Sequence, residues 1–275
     1  MAAGAAASFL IPSPDQRIAF LNVGQGDSIL LQDNTVQVLV DGGPDGTVLQ
    51  RLAEEMPWQD QRIEIMIVTH PDKDHLAGLL HVLDRFEVGL VMLPNAPDDS
   101  TLQKAWLDQL IARKIPVRFA SAGQTLRTEA LTLEVLHPEA GNTSGDNNNR
   151  SVVVRVEFHD LSILMTGDVN AAIENHLIKK YGTDKLDVEV LKAGHHGSKT
   201  STSTEFLKAV TPDATIISVG KNSYGHPSPD VLKRLEGVGG LWRTDEEGTI
   251  RWRWAKGQWW LGCGSERFTI KSESC

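Results

Sequence analysis

Six consecutive residues, His70-Pro71-Asp72-Lys73-Asp74-His75, place two imidazoles and two carboxylates within one short turn. Imidazole nitrogens and carboxylate oxygens are the usual protein ligands of divalent cations. Packing this many titratable groups together is unfavourable unless a cation offsets their charge. The stretch therefore predicts a metal-dependent reaction centre, and a merely solvated polar turn is the weaker interpretation.

The elements around this turn indicate how it is positioned. It follows an apolar run, Ile63 to Val68, that is typical of a buried strand, and it precedes a predicted helix from Leu76 to Phe86. Strands and helices alternate in both halves of the chain, and no linker separates the halves. We therefore expect an α+β protein in which two mixed β-sheets pack face to face with helices outside, an αββα sandwich. Residues 17–275 would form one domain, and residues 1–16 a disordered tail.

Other polar groups follow other predicted strands. Asp41 ends the third strand, Asp168 follows a later strand, and the pair His195-His196 follows the next one. A single Gly-Asp or His-His after a strand usually marks an ordinary turn. Four such groups in succession indicate a common site, because α/β proteins place their chemistry at strand ends.

The order of these groups resembles the metallo-β-lactamase fold superfamily. More narrowly, several segments resemble the hydrolase domain of ComEC-type DNA-uptake competence proteins. These segments are Leu21 to Ser28, Thr69 to His75, Leu164 to Asp168, Gly194 to Thr200 and Tyr224 to Ser228. Full competence proteins carry a membrane channel that has no counterpart here, so the resemblance is to the stand-alone members. It implies the αββα fold and a metal-dependent hydrolase, but no role in DNA uptake.

The resemblance also implies a centre with two divalent ions. The implied ligands are His70, Asp72, Asp74, His75, Asp168 and His195. His70 and Asp72 would hold one ion and Asp168 would bridge both, while His196 stays open as an alternative to His195. Two ions about 3.5–4 Å apart can share a bridging hydroxide and clamp a phosphodiester.

One departure from the family pattern predicts which metal the site prefers. Asp72 stands where the superfamily motif commonly has histidine, which makes the first site richer in oxygen. Oxygen ligands favour manganese over zinc, with magnesium as a further candidate. The usual histidine between the second and fourth motifs is also missing, and the segment Asp146 to Ser151 stands there instead.

Further residues are candidates for catalysis and for substrate contacts. The predicted catalytic groups are Asp74, Lys199 and His226: Lys199 would stabilise charge on phosphate, and His226 would give a proton to the leaving oxygen. The predicted outer or substrate contacts are Asp41, Asp27, His196, Ser198 and Asn149. Asp41 would orient a ligand histidine or the water. Lys192 lies within a predicted strand, where the simpler interpretation is a solvent-facing side chain.

Three functions remain open from the sequence. We expect a phosphodiesterase or nuclease, whose substrate would be DNA or a nucleotide. The alternatives are a two-metal hydrolase of carbon esters, lactones or amides, and a non-catalytic ComEC-like binding module. An apolar pocket would favour the carbon-ester hydrolase, and a basic cleft the phosphodiesterase.

Composition adds two expectations. The net charge of −9 argues against binding nucleic acid through a broad basic face. Two bound divalent ions would nevertheless add four positive charges at the site. No segment has the length of a transmembrane helix and the N-terminus lacks a basic leader, so a cytoplasmic protein is expected. The oligomeric state is not predicted.

Overall fold

The computed structural model describes residues 16–95, 99–141, 145–263 and 266–270. Its strands, numbered in chain order, are β1 (Gln16–Phe20), β2 (Ile29–Asp33), β3 (Val36–Val40), β4 (Arg62–Ile67), β5 (Glu87–Leu93), β6 (Val117–Phe119), β7 (Thr125–Arg127), β8 (Leu131–His137), β9 (Val153–Phe158), β10 (Leu161–Met165), β11 (Val190–Lys192), β12 (Ala214–Ile217), β13 (Gly240–Arg243), β14 (Ile250–Ala255), β15 (Gln258–Cys263) and β16 (Glu266–Ile270). Its α-helices are α1 (Thr47–Glu55), α2 (Lys73–Leu83), α3 (Thr101–Ala112), α4 (Ala171–Leu186), α5 (Thr204–Val210), α6 (Pro229–Leu235) and α7 (Thr244–Glu247). The predicted disordered tail lies outside the described residues, except that Gln16 begins β1.

Within these ranges the strands form two sheets. The larger has the order β16-β15-β14-β1-β2-β3-β4-β5-β6, and the smaller has the order β13-β12-β11-β10-β9-β8-β7. Strands β3 to β6 run parallel in the larger sheet, and strands β10 to β13 run parallel in the smaller. Every other neighbouring pair is antiparallel. Both sheets are therefore mixed, as the sequence predicts.

The inner faces of the two sheets share one apolar core. Phe20 and Leu31 of the larger sheet belong to the same buried cluster as Val154 and Ile163 of the smaller. A second cluster lies beneath α1, α2 and α3, and a third beneath α4, α5 and α6. The predicted αββα sandwich is thus confirmed. No helix in the described part of the chain is long and apolar enough to span a membrane.

Helix α2 begins earlier than its apolar pattern predicts. The pattern starts at Leu76, whereas the helix starts at Lys73, with Asp72 in an extended conformation before it. Apolar periodicity marks only the buried stripe of a helix, and the first turn of α2 faces the polar end of the sheets. The consequence is that Asp74 and His75 are held by helical backbone rather than by a loop.

Helix α4 is capped by Asn170. The Asn170 Oδ1 atom accepts hydrogen bonds from the backbone N–H groups of Ala172 at 2.9 Å and Ile173 at 3.3 Å. The helix continues to Leu186, past a break at Gly182, whose φ is 67°. Strand β11 begins after it, at Val190.

Replacing Asn170 by alanine should lower the free energy of unfolding by about 1 kcal/mol, because two N–H groups lose their acceptor. The matched control is Asn175→Ala, the same chemical change at an exposed position of the same helix. The control should be neutral or slightly stabilising, since alanine is the better helix former. Urea titration with an unchanged m value measures both effects. Equal stability of the two variants would contradict the capping role.

Candidate metal centre

Loops at one edge of the two sheets gather the candidate residues. Asp41 follows β3 and residues 69–75 follow β4, while Asp168 follows β10 and the His195-His196 pair follows β11. The members of each strand pair are parallel neighbours, so their carboxyl ends lie side by side. The edge of the sandwich therefore collects groups that are more than 100 residues apart in sequence.

Four ligand atoms from these loops converge in a buried space. His196 Nε2 lies 3.2 Å from His75 Nε2 and 3.3 Å from Asp74 Oδ2. Asp168 Oδ2 lies 3.4 Å from each of the two histidine nitrogens. Ligand atoms arranged tetrahedrally at 2.0–2.1 Å from a zinc-sized cation are about 3.3 Å apart. The measured separations are close to this value. Asp74, His75 and His196 form one group that could hold an ion, and Asp168 belongs to two neighbouring groups, one with His70 and His75 and one with Asp27 and His196.

Hydrogen bonds made by the Nδ1 atoms of His75 and His196 determine that the Nε2 atoms face this space. His75 Nδ1 donates to Asp41 Oδ2 at 2.8 Å, the contact predicted for Asp41, and His196 Nδ1 donates to the Ser218 carbonyl at 2.8 Å. Both Nε2 atoms thus present lone pairs to each other, which repel unless a proton or a cation lies between them. Burial opposes a charge on His196, but the Asp168, Asp27 and Asp74 carboxylates together outweigh it and raise its pKa to about 9. The cluster is built to hold positive charge.

His70 offers a fifth ligand atom, its Nε2 nitrogen, beside this group. The Thr69 hydroxyl donates to Asp41 Oδ2 at 2.6 Å and lies 3.0 Å from His70 Nδ1, from which it accepts. Burial lowers the pKa of His70 to about 3, so the ring is neutral. Its Nε2 atom is buried without a hydrogen-bond partner, 3.8 Å from Asp72 Oδ2 and 3.9 Å from Asp168 Oδ2. A buried orphan nitrogen between two carboxylates fits a metal ligand.

Asp72 is positioned by an amide that the sequence analysis missed. Asn147 Nδ2 donates to Asp72 Oδ1 at 2.9 Å, and Arg150 donates to Asn147 Oδ1 at 3.0 Å, which fixes the orientation of the amide. Both residues lie in the asparagine-rich segment that replaces the usual histidine motif. Asn149, the predicted member of that segment, instead accepts a hydrogen bond through its carbonyl from His137. Neighbouring asparagines give no periodic signal, so only the fold distinguishes their roles.

The expectation for Lys192 is wrong. Lys192 is fully buried, forms an ion pair with Asp27, and donates to the Gly167 carbonyl at 3.1 Å. Its Nζ atom also lies 3.7 Å from Asp168 Oδ1. Burial would lower the pKa of Lys192, but the Asp27 and Asp168 carboxylates outweigh it and raise the pKa. Both faces of β11 are covered, so a lysine there faces the carboxylates beneath the cluster rather than solvent.

The preference for His195 over His196 does not match their positions. His196 is buried within the cluster, whereas 29% of the His195 side chain is exposed and its Nε2 atom lies 3.8 Å from Asp168 Oδ2. Both residues have left-handed backbone, with φ near 50°, and so does Asp41 at 58°. Such conformations cost roughly 1 kcal/mol or more each and persist where the surroundings enforce them. This double left-handed turn sends the second histidine inward, which chain order alone does not indicate.

The remaining predicted residues lie at the opening of the metal cluster or away from it. The His226 ring is 5.3 Å from the His195 ring, centroid to centroid, and Asn222 holds both backbone polar groups of His226. Ser198 is buried and contacts the Thr200 hydroxyl at 3.0 Å. Lys199 is exposed, and within the described residues no contact of its ammonium group with the cluster is present. The predicted phosphate role of Lys199 therefore lacks geometric support.

A glycine permits the close approach that positions Asp27. Gly26 has a φ of 138°, and a Cβ atom there would lie 2.1 Å from the Asp74 carbonyl oxygen. The same carbonyl accepts a hydrogen bond from the Asp27 N–H at 3.2 Å. The loop after β1 is thereby held against the first turn of α2, with the Asp27 carboxylate under the histidines.

A cleft of about 640 Å³ opens beside Asp74. Its walls are the loops that follow β1, β3 and β12, together with the start of α2. Its lining combines polar and apolar surface and includes three cationic side chains, Arg51, Lys73 and Lys221, and two carboxylates, Asp45 and Asp74. A small substrate that reached the cluster through this cleft would pass both cationic and anionic groups.

A family model described as the Metallo-beta-lactamase superfamily matches residues 21–221. The chain belongs to this superfamily. Its fold is that of metal-dependent hydrolases, and the His and Asp clusters described above can hold divalent metal ions. The sequence-based assignment to this superfamily is confirmed.

Two relatives make the comparison within this superfamily more specific. The chain is 30% identical to ComE operon protein 3 of Bacillus subtilis (strain 168) over 277 aligned residues, which cover 90% of this chain and 34% of that protein. It is 31% identical to Recombination protein 2 of Haemophilus influenzae over 231 residues, which cover 82% of this chain and 27% of that protein. The chain is thus a ComEC-type metallo-β-lactamase fold protein, and it spans about a third of the length of these relatives.

A solved structure supports the fold independently. The metallo-beta-lactamase fold protein YhfI from Bacillus subtilis is 12% identical, with a TM-score of 0.58. The match covers 87% of this chain and 100% of YhfI. At this level of identity the likeness supports the αββα architecture alone.

Replacing Lys192 by methionine should destabilise the metal-free protein by about 3 kcal/mol or more, because the buried Asp27 carboxylate loses its cation. Adding Asp27→Asn to the same chain should recover part of this loss, since that unpaired charge is then absent. Urea unfolding of the two variants and the parent protein measures both effects. A single variant as stable as the parent would show that Lys192 does not compensate the carboxylates.

Proposed function

We propose that this chain is a phosphodiesterase or nuclease that uses two divalent metal ions. The main support for this proposal is a buried cluster of ligand atoms with a cleft directly beside it that is lined by lysine and arginine side chains. The cluster supports metal-dependent hydrolysis, and the cleft supports an anionic substrate. Two bound ions would supply an activated water and neutralise charge on the attacked phosphate.

The ligand assignment that we propose follows the observed distances. Asp74, His75 and His196 would hold one ion, because their ligand atoms all lie within 4.8 Å of one another. His70 and Asp72 would hold the other, and Asp168 could serve both, since its Oδ2 atom is within 3.9 Å of every histidine nitrogen involved. The Asp72 oxygen favours manganese, with zinc and magnesium as the metals to compare.

The protein groups around the ions have separate tasks in this proposal. Asp41 accepts from His75 Nδ1, which leaves the Nε2 lone pair directed at the ion and makes it a stronger ligand. The ammonium group of Lys192 offsets the negative charge of Asp27 and Asp168, so that these carboxylates remain ionised. His226 stands at the mouth beside His195, from where it gives a proton to the leaving oxygen. Lys73 and Lys221 take the phosphate-binding role first expected of Lys199.

Metal analysis tests the ligand assignment. The full chain should bind two equivalents of manganese or zinc by elemental analysis after gel filtration. His196→Ala should retain about one equivalent, because one site loses a ligand, and Asp168→Ala should lose both. His195→Ala is the matched control at the adjacent position and should retain two. Loss of metal from His195→Ala with full retention by His196→Ala would reverse the assignment of the pair.

Activity tests the function itself. The full chain with manganese, magnesium or zinc should cleave single- or double-stranded DNA, RNA or bis(p-nitrophenyl) phosphate, and a chelator should abolish the cleavage. Hydrolysis of p-nitrophenyl acetate or a lactone without phosphodiester cleavage would favour the carbon-ester alternative. Absence of every hydrolytic activity in metal-loaded protein would favour the binding module.

A histidine variant separates proton donation from metal binding. His226→Ala should bind metal normally and cleave DNA about 10²-fold more slowly, because the leaving oxygen lacks its proton donor. The deficit should shrink for bis(p-nitrophenyl) phosphate, whose leaving group needs no proton. His176→Ala, an exposed histidine on α4, is the matched control. An equal deficit on both substrates would remove His226 as the acid.

A further inference from the structure

The cleft beside Asp74 contains cationic side chains without partners. Lys73 and Lys221 line it, are exposed, and form no hydrogen bond or ion pair with the described residues. Arg51 differs, because it is bound to both carboxylate oxygens of Glu54 and donates to the Asn22 carbonyl at 2.9 Å. In a chain of net charge −9, two unpaired lysines facing one cleft leave it ready for an anion.

An aromatic side chain stands in the same cleft. Tyr224 lines it, and 73% of Tyr224 is exposed, although large aromatic side chains are normally buried. Its ring centroid lies 5.8 Å from that of His226, at the mouth of the metal cluster. An exposed ring next to unpaired lysines is the combination that binds a base together with its phosphate.

The loop that carries Tyr224 is fixed in place. Asn222 Oδ1 accepts from the N–H groups of Tyr224 and His226, both at 3.1 Å. Asn222 Nδ2 donates to the carbonyls of Gly220 at 2.9 Å and His226 at 2.7 Å. A Cβ atom on Gly220 would lie 2.5 Å from the backbone nitrogen of Gln25, so this glycine lets the loop reach the opposite wall. The backbone that carries the ring is therefore in place before a ligand arrives, which lowers the entropy cost of binding.

Negative groups in the same cleft limit how a phosphate can sit. Asp45 lines the cleft and is ionised, because its hydrogen bonds with Thr47 lower its pKa. Asp74 faces the metal cluster. The charge of Lys73 also contributes to the lowered pKa of Asp45, so a phosphate at Lys73 competes with this carboxylate, whereas Lys221 has no such contribution in the described residues.

We propose that this cleft is the subsite for the unpaired nucleotide next to the scissile phosphate. Tyr224 stacks on its base, and Lys73 and Lys221 bind its outer phosphate. The inference rests on the proposed phosphodiesterase function and adds its substrate class: strands in which at least one base is free to leave the helical stack. A fully paired duplex keeps its bases stacked, so neither face is available to the ring.

Binding and cleavage together test this subsite. Binding is measured by fluorescence anisotropy of a labelled hexathymidylate on the full, metal-loaded chain at low temperature. Tyr224→Ala should weaken it about tenfold or more, and Tyr224→Phe should restore it, because stacking needs the ring alone. Lys221→Ala should reduce the slope of log Kd against log salt concentration by about 0.7. Cleavage should favour hexathymidylate over a blunt duplex, and Tyr224→Ala should reduce the ratio of kcat/KM for hexathymidylate over bis(p-nitrophenyl) phosphate.

Matched controls lie at the opposite end of the larger sheet. Trp58→Ala removes an exposed aromatic ring before β4, and Lys256→Ala removes an exposed lysine in the turn after β14. Both should behave as the parent protein. Binding and cleavage ratios unchanged in Tyr224→Ala and Lys221→Ala would overturn the subsite. Failure of the wild type to cleave any phosphodiester, with tyrosine-dependent binding intact, would overturn the catalytic proposal alone.

Discussion

The mutual repulsion of inward-facing ligand atoms is the constraint on which this structure depends. Nε2 of His75 and Nε2 of His196 face each other at 3.2 Å, and carboxylate oxygens of Asp74 and Asp168 lie beside them. Without positive charge such an arrangement is unfavourable, because the lone pairs are buried and cannot turn to water. The surrounding fold must therefore hold these atoms together until a cation or protons stabilise them.

Two buried contacts hold the ligand atoms from opposite sides. Asp41 receives hydrogen bonds from His75 in α2 and from Thr69 in the loop after β4, and these bonds set the orientation of the His75 ring. Lys192 pairs with Asp27 and lies near Asp168, so one fixed cation keeps the carboxylates beneath the site ionised. Left-handed backbone at Asp41, His195 and His196 is the conformational cost of the convergence. These conformations lower the stability of the fold, and they position the groups of the site rather than the core.

The metal cluster and the cleft share one edge of the sandwich. Asp74 belongs both to the cluster and to the lining of the cleft. The close backbone approaches at Gly26 and Gly220 bring the loops after β1 and β12 and the start of α2 together. Under the proposed function, bound ions would supply the charge for hydrolysis and these loops would set the choice of substrate.

The sequence by itself determined the αββα fold and the strand ends that carry the polar groups, because apolar runs and adjacent polar clusters are local signals. Its superfamily followed from the resemblance of its motifs. The predicted ligand residues Asp74, His75 and Asp168 lie close to His196 or to one another in the structure. Tertiary structure decided what local patterns do not encode: that His196 rather than His195 points inward, that Lys192 is buried against carboxylates, and that Asn147 orients Asp72. It also placed Lys73, Lys221 and Tyr224 in one cleft. Each of these depends on a backbone turn or on contacts between segments distant in the chain, and neither leaves a periodic trace in the sequence.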